Sequence, residues 1–334
     1  AMHFLNVKAV VIPTKKDFSF DLDSFEKAIN SNTILLIGSA PNYPTGMMDP
    51  IESLSKLALN HGLLFHVDAC IGGFLLAYLK KIGNDIPLFD FKLSGVTSLS
   101  VDLHKYAYAP KGSSVLLYRK EELRKEQFSV YPNWEGGIYG STTFLGTKPG
   151  GIVASTWMAL NHIGQDGYVK LTHKTMDATK VISDYIQNSK DLSLIGTPIM
   201  SLLAFNSEKH DIYHIADLLS EKGWYIGRLQ NPPGIHLVVS QIHADGAAKE
   251  LVEDMEEIIE KLNTSTIKNK LSKVGDNLSV NAVKSLGYKS LKKAVVASTG
   301  SKNSKKRLIY DLKSTLDLDQ SNDLFKSILN RFYQ

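Results

Sequence analysis

Two side chains in this sequence stand where a sheet would present them to a ligand: Asp68, in His66-Val67-Asp68-Ala69, and Lys105, in Asp102-Leu103-His104-Lys105. Each follows an apolar run of strand character, and three further candidates lie close to them in sequence: Cys70, His104 and Lys111. A lysine amine condenses with an aldehyde, and a fixed carboxylate opposite a cation stays ionised and can keep a pyridine nitrogen protonated. The pair therefore fits pyridoxal 5'-phosphate chemistry, with Lys105 as the Schiff-base residue, Asp68 at the ring nitrogen, Cys70 packed on the ring face and His104 as a cofactor contact. Lys111, in a Pro-Lys-Gly turn, could meet a substrate phosphate as a point charge. Blander readings stay beside these: a solvated lysine at 105 or 111, a helix-capping aspartate at 68 and an inert thiol at 70.

Competing chemistries lack their motifs. There is no G-x-S-x-G elbow and no G-x-x-x-x-G-K-[ST] phosphate loop. His210 and His214 have the spacing of a zinc pair, but no Glu follows His210 and no third ligand is indicated, so no metal is expected.

The elements that must position Asp68 and Lys105 read as an alternation. Apolar runs at 33–38, 63–67, 95–101 and 114–118 predict strands, and Val7 to Ile12 a further one. A helix is expected between the first two of the four, with Asp49 as N-cap, Pro50 in its first turn and Gly62 at its end, and another over 72–82. Such alternation implies right-handed crossovers and a mostly parallel sheet, whose ligands gather beyond the carboxyl ends of the strands. Asp68 and Lys105 lie 37 residues apart in sequence, yet this arrangement brings their loops together. A long helical pattern from Pro149 to Gln187 follows, with Gly164 and Gly167 as breaks. Beyond it come strands near 201–206, 224–229 and 235–240 and helices at 211–222 and 247–262. The division expected is a partial cofactor-binding large domain over 1–160, a smaller C-terminal α+β domain over 161–262, and a basic polar tail over 263–334 with a short helix from Leu324 to Phe332.

With 334 residues and 43% apolar side chains the chain can bury a large core. Its apolar runs fall far short of the roughly 20 residues that cross a bilayer, and no basic-then-apolar leader opens it. The single cysteine, Cys70, excludes an intramolecular disulfide and suits a reducing compartment, so the expected location is cytoplasmic. The tail carries 14 Lys and Arg against 5 Asp and Glu, whereas residues 1–262 carry 24 against 29. A solvated tail is the plain reading and an anionic surface the sharper one; nucleic acid is not expected as a partner.

Several segments together resemble the sphingosine-1-phosphate lyase family. They are Ser39-Ala40-Pro41-Asn42-Tyr43-Pro44-Thr45-Gly46, His66 to Cys70, His104 to Ser114, Trp134 to Tyr139, Pro149-Gly150-Gly151, Lys222-Gly223-Trp224 and Leu229 to His236. The resemblance covers about residues 5–262, and single pieces of it are shared with group II amino-acid decarboxylases. It implies an α/β enzyme of fold type I that uses pyridoxal phosphate in sphingolipid metabolism, usually as a homodimer with active sites at the subunit interface. Its substrates would be phosphorylated sphingoid bases, cleaved between C2 and C3 to a long-chain aldehyde and phosphoethanolamine. Carried over residue by residue, Lys105 matches the cofactor-bearing lysine, Asp68 the pyridinium partner, His104 a cofactor contact and Lys111 a loop lysine handling substrate. Thr147, in Gly146-Thr147-Lys148, matches a position that reaches the cofactor phosphate of the other subunit; the family more often has serine and arginine at 147 and 148.

The resemblance also implies an upstream half that supplies the glycine-rich phosphate cup and part of the substrate channel. In residues 1–60, Gly38 and Gly46 are isolated rather than clustered, so that cup is not expected here and the large domain is expected to be incomplete. Partners would be a second copy of the chain or the missing N-terminal segment, with one sheet face or edge left uncovered. Membrane association or host targeting stays open for a full-length form. Three functions follow as expectations: a carbon–carbon lyase seen as a fragment, a decarboxylase with carboxy-lyase activity, or a non-catalytic remnant acting as a binding module.

Overall fold

The computed structural model describes residues 2–264 and 316–332. The elements are α1 Met2–Leu5, α2 Leu22–Lys27, β1 Leu35–Ser39, α3 Ile51–His61, β2 Leu64–Asp68, α4 Gly72–Lys81, β3 Ser98–Asp102, β4 Ser114–Tyr118 and α5 Glu121–Lys125. They continue through β5 Ser129–Tyr131, β6 Tyr139–Ser141, α6 Gly150–Asn188, β7 Ser193–Leu194, β8 Leu202–Asn206, α7 Ile212–Glu221, β9 Gly227–Gln230, β10 Pro233–Val238, α8 Ala247–Thr264 and α9 Leu318–Phe332. The chain divides into two compact units, one of residues 1–180, 195–204 and 238–245, the other of 181–194, 205–237 and 246–334.

The first unit holds a sheet of order β1-β2-β3-β4, parallel through β1, β2 and β3 and closed by an antiparallel β4. Alternation along each strand gives the sheet two chemically different faces. One face presents Leu36, Phe65, Val67, Leu99 and Val101, all buried against Leu54, Leu57 and Ala58 of α3 and Leu75, Leu76 and Leu79 of α4. Each large side chain so buried contributes about 1.5–3 kcal/mol, which makes this face the main source of the unit's stability. The helices approach closely because small residues meet them: a Cβ at Gly72 would stand 2.2 Å from the Ala40 carbonyl oxygen, and one at Gly73 2.7 Å from a Val101 methyl. Only glycine lets α4 start directly behind the ends of β1 and β3.

On the opposite face, the register sets Leu35 beside Leu64, Ile37 beside His66 and Ser98, and Asp68 beside Ser100 and Leu116. Here Leu35, Ile37, Leu64 and Leu116 remain between 36% and 45% exposed. Asp68 lies on this same face, and Cys70, His104 and Lys105 follow the strand ends.

The structure corrects three local expectations. Val7 to Ile12 is not a strand: it pairs with no strand among the described residues, and Val7, Val10 and Val11 are exposed. An apolar alternation without a neighbour to take its backbone hydrogen bonds has no reason to become one. Asp49 is not the N-cap of α3; that position is Pro50, and the Asp49 carboxylate instead accepts the Ser39 N–H at 2.7 Å, fastening the end of β1. The C-terminal helix begins at Leu318, earlier than Leu324. Of the predicted breaks in the long helix, Gly164 is the one the chain uses, with φ 62° and ψ 178°, a region open essentially to glycine alone. The basic run from Ser301 to Arg307 lies outside the described residues.

In the second unit, α7 is capped by Asp211, whose carboxylate accepts the N–H groups of Tyr213 and His214. Its end is tied to α8 by Lys222, which reaches Asp254 and Glu257 at 2.7 Å each, and by Trp224, whose indole N–H donates to Asp254 at 2.7 Å. Within it Ser193 and Leu194 pair antiparallel with Asn206 and Phe205, and β9 pairs antiparallel with β10. Among the described residues no helix is long and apolar enough to cross a membrane.

The half-exposed aliphatic face of the first sheet should drive self-association of this chain. Sedimentation velocity on the Ile37→Lys, Leu64→Lys double variant is expected to show smaller species than the wild type at equal concentration. A wild-type chain that sediments as a single monomer at all concentrations would contradict this.

Candidate active site

The site is built at the carboxyl ends of β2 and β3. Hydrogen bonding between these parallel strands sets Asp68 beside Ser100, and β2 then turns into α4 through Ala69, Cys70 and Ile71. The Asp68 carboxylate turns back over this bend: its Oδ1 accepts the Cys70 N–H at 3.0 Å and the Ser100 hydroxyl at 3.3 Å. From β3 the chain enters a tight loop in which Lys105 N–H donates to the Asp102 carbonyl and Tyr108 N–H to the Lys105 carbonyl. Tyr106 anchors the loop from below, its buried hydroxyl within 2.7 Å of Ser201 Oγ and donating to the Val239 carbonyl at 2.9 Å. Tyr168 adds a second anchor through a 2.8 Å bond to the Ala107 carbonyl.

So held, the Lys105 ammonium lies 2.9 Å from Asp102 Oδ2 and 3.1 Å from Cys70 Sγ. Burial pulls the lysine down, but the bonds to Asp102 and Cys70 outweigh it and hold its pKa above the ordinary lysine value. Burial likewise pushes Asp102 up, and the Ser114 hydroxyl and Lys105 outweigh that, leaving its carboxyl below the ordinary range. Both partners are thus shifted toward their charged forms. Burial pushes the Cys70 thiol up and favours its neutral form, against the downward pull of Lys105. His104 commits its Nδ1–H to the Ser113 carbonyl at 2.8 Å, which turns Nε2 toward Asp102 Oδ2 at 3.8 Å.

Of the residues singled out in the sequence, Asp68, Cys70, His104 and Lys105 are therefore brought to one end of one sheet, with Cys70 bonded to both the aspartate and the lysine. Lys111 and Thr147 are exposed and belong to no hydrogen bond or ion pair with that group among the described residues. Sequence reasoning missed Asp102 as the direct partner of Lys105, although their spacing of three across a turn was a readable signal. It also missed Ser100 and its neighbour Ser98, whose alternation with Asp102 puts all three on the face of Asp68. As a set, a strand-end carboxylate with two donors on one oxygen and a loop amine beside it suits the ring end of pyridoxal phosphate: an acceptor for a pyridinium N–H and a nucleophile for an aldehyde. Among the described residues no group of three His, Cys, Asp or Glu is arranged to hold a metal ion.

The ion pair makes a measurable demand. Asp102→Asn removes the charge that favours the ammonium, so the Lys105 pKa should fall and the neutral amine should become more abundant at any pH below it. Competitive acetylation between pH 7 and 11, read by mass spectrometry, should show Lys105 reacting at lower pH in the variant than in the wild type. An unchanged profile would mean that the pair does not control the amine.

Comparison with known proteins supplies the lineage. A family model for class-V aminotransferases matches residues 1–228. The sphingosine-1-phosphate lyase of Arabidopsis thaliana is 42% identical over 265 residues, 79% of this chain and 48% of the relative. Sphingosine-1-phosphate lyase 1 of Rattus norvegicus is 40% identical over 264 residues, 78% of this chain and 46% of the relative. The chain thus spans about half the length of the curated relatives it matches. Among solved structures, the Burkholderia pseudomallei sphingosine-1-phosphate lyase superposes with a TM-score of 0.76 at 35% identity, covering 82% of this chain and 63% of that one. Glutamate decarboxylase of Lactobacillus brevis, at 20% identity and a TM-score of 0.69 over 79% of this chain and 63% of that one, shares the fold. The chain belongs to the class-V aminotransferase family, as a homologue of sphingosine-1-phosphate lyase with the α/β structure of a fold-type-I pyridoxal-phosphate enzyme.

Proposed function

We propose that this chain carries the lysine and the ring-nitrogen carboxylate of a pyridoxal-phosphate-dependent carbon–carbon lyase acting on phosphorylated long-chain bases. The reaction would break the C2–C3 bond and yield a long-chain aldehyde and phosphoethanolamine. The observation that carries this reading is the convergence of Asp68, Cys70 and Lys105 at the ends of β2 and β3, in a chain about 40% identical to sphingosine-1-phosphate lyases. Because the chain spans about half of those relatives, the complete activity is assigned to an assembly with further polypeptide, either an upstream segment or a second copy of this chain.

When bound, pyridoxal phosphate would serve as the sink for the electrons released from the broken bond. Asp68 would hold the proton on the pyridine nitrogen that makes the ring such a sink, its Oδ1 steadied by the Cys70 N–H and the Ser100 hydroxyl. Lys105 would supply the amine that condenses with the aldehyde, and must first lose a proton. Asp102 stabilises the ammonium, so the pair has to separate or pass on that proton before the amine can attack. Cys70 would fill the space beside the ring as a neutral thiol, and His104 would keep the loop in place through the Ser113 carbonyl.

Lys111 is proposed to meet a substrate phosphate, its exposure leaving the ammonium available. Thr147 is proposed to contribute its hydroxyl to the cofactor phosphate of a neighbouring subunit. The exposed aromatic and aliphatic residues of the surrounding sequence, including Trp134, Ile138, Phe144, Leu145 and Trp157, support a homodimer contact there. In this reading residues 1–160 form the cofactor-binding part, residues 161–262 the small domain and residues 263–334 the tail.

The test is to incubate the chain with pyridoxal phosphate, reduce with borohydride and map the adduct. Label on Lys105 that disappears in Lys105→Ala, together with aldehyde release from a phosphorylated sphingoid base, is the expected result. Absence of any adduct would leave a binding module without the cofactor, and carbon dioxide release from an amino acid without aldehyde formation would identify a decarboxylase instead.

A further inference from the structure

The sheet face that carries Asp68 also carries a histidine and two serines to which the proposed chemistry gives no task beyond a single contact. His66 lies two residues before Asp68 on β2, on the same face, and the parallel register sets His66 beside Ser98 and Asp68 beside Ser100. His66 Nδ1 is 2.8 Å from Ser98 Oγ, its Nε2 is 3.2 Å from Ser100 Oγ, and the Ser100 hydroxyl donates to Asp68 Oδ1 at 3.3 Å. The four side chains form one unbroken line along the open face.

Proton counting gives that line a direction. An ionised carboxylate only accepts, so the single Ser100 proton goes to Asp68. The Ser100 oxygen can then meet His66 only as an acceptor, which requires the imidazole proton on Nε2. Burial lowers the His66 pKa, against the upward pull of Asp68, and so favours the neutral ring, whose Nδ1 keeps a lone pair. That lone pair accepts the Ser98 hydroxyl. Every donor in the line therefore points toward Asp68, an arrangement in which successive bonds polarise one another.

We propose that His66 and Ser100 are positioning residues for the ring-nitrogen contact: the line from Ser98 through His66 and Ser100 holds the Asp68 carboxylate by Oδ1 and fixes its orientation toward the cofactor. This rests on the reading of Asp68 as the partner of the pyridine nitrogen. Without the line, Asp68 keeps the Cys70 N–H, which ties the carboxylate to its own bend but not to β3. Ser100 is the only link among the described hydrogen bonds between this carboxylate and the neighbouring strand.

Two measurements on the full chain test the proposal. Nitrogen-15 NMR of labelled histidine, with His66 assigned by its loss in His66→Phe, should show a neutral ring protonated on Nε2 at pH 7, and Ser100→Ala should shift that Nε2 signal. A charged ring, a proton on Nδ1 or an unmoved signal overturns the line. Binding of pyridoxal phosphate is then compared with binding of its analogue bearing carbon in place of the ring nitrogen. Ser100→Ala and His66→Phe should weaken the cofactor by about tenfold and leave the analogue unchanged, while Ser100→Thr, which keeps the hydroxyl, should restore wild-type affinity. Equal loss for both ligands, or loss for neither, overturns the proposal and leaves an ordinary structural network. Asp68→Asn is the reference. If it too fails to distinguish the ligands, or the wild type binds neither, the cofactor reading of Asp68 fails, and the NMR result still reports separately on the hydrogen-bonded line.

Discussion

The parallel pairing of β2 with β3 is the constraint on which the candidate site rests. Side chains alternate along a strand with a period of two, and the pairing sets His66 beside Ser98 and Asp68 beside Ser100. A slip of one residue would exchange every side chain between the faces, sending Asp68 and Ser100 into the hydrocarbon packing of α3 and α4 and bringing Phe65, Val67 and Leu99 out. The burial of those three residues therefore fixes the register, and the register places the polar row. Stability and chemistry are set by the same strands, on opposite faces.

Beyond the strand ends the arrangement is electrostatic. Lys105 stands between Asp102 and Cys70, and Cys70 in turn is bonded to Asp68. Asp102 makes the direct ion pair, and the Ser114 hydroxyl adds to its stabilisation. Asp68 is held apart from the lysine by its own donors on β3 and on the bend. The two acids thus have different partners: Asp102 pairs with the ammonium, and Asp68 accepts from Ser100 and the Cys70 N–H.

The open face has a second meaning. In parallel sheets both faces are normally covered, yet here one face retains exposed Leu35, Ile37, Leu64 and Leu116 next to the polar row. The relatives extend to about twice the matched length.

Much of this was legible in the sequence because it depends on short-range pattern. Strand and helix periodicity located β1 to β4, α3 and α4 within a few residues, and the helix break fell at Gly164, where the backbone needs φ 62°. Asp68, Cys70, His104 and Lys105 could be named because residue type and position beyond a strand limit what chemistry is available. What periodicity could not decide was whether a run finds a neighbour, and Val7 to Ile12, with the same apolar pattern as a strand, found none. Nor could it assign partners: Asp49 as a clamp on β1 in place of a helix cap, and Ser100 as the link from His66 to Asp68, depend on how separate segments of the chain come together. Sequence order determined which groups are present and which face of a strand each occupies. Tertiary structure alone decided which groups meet across the strands, Ser100 with Asp68 and Cys70 with Lys105, because those contacts are made by sub-nanometre separations between segments that chain connectivity leaves free.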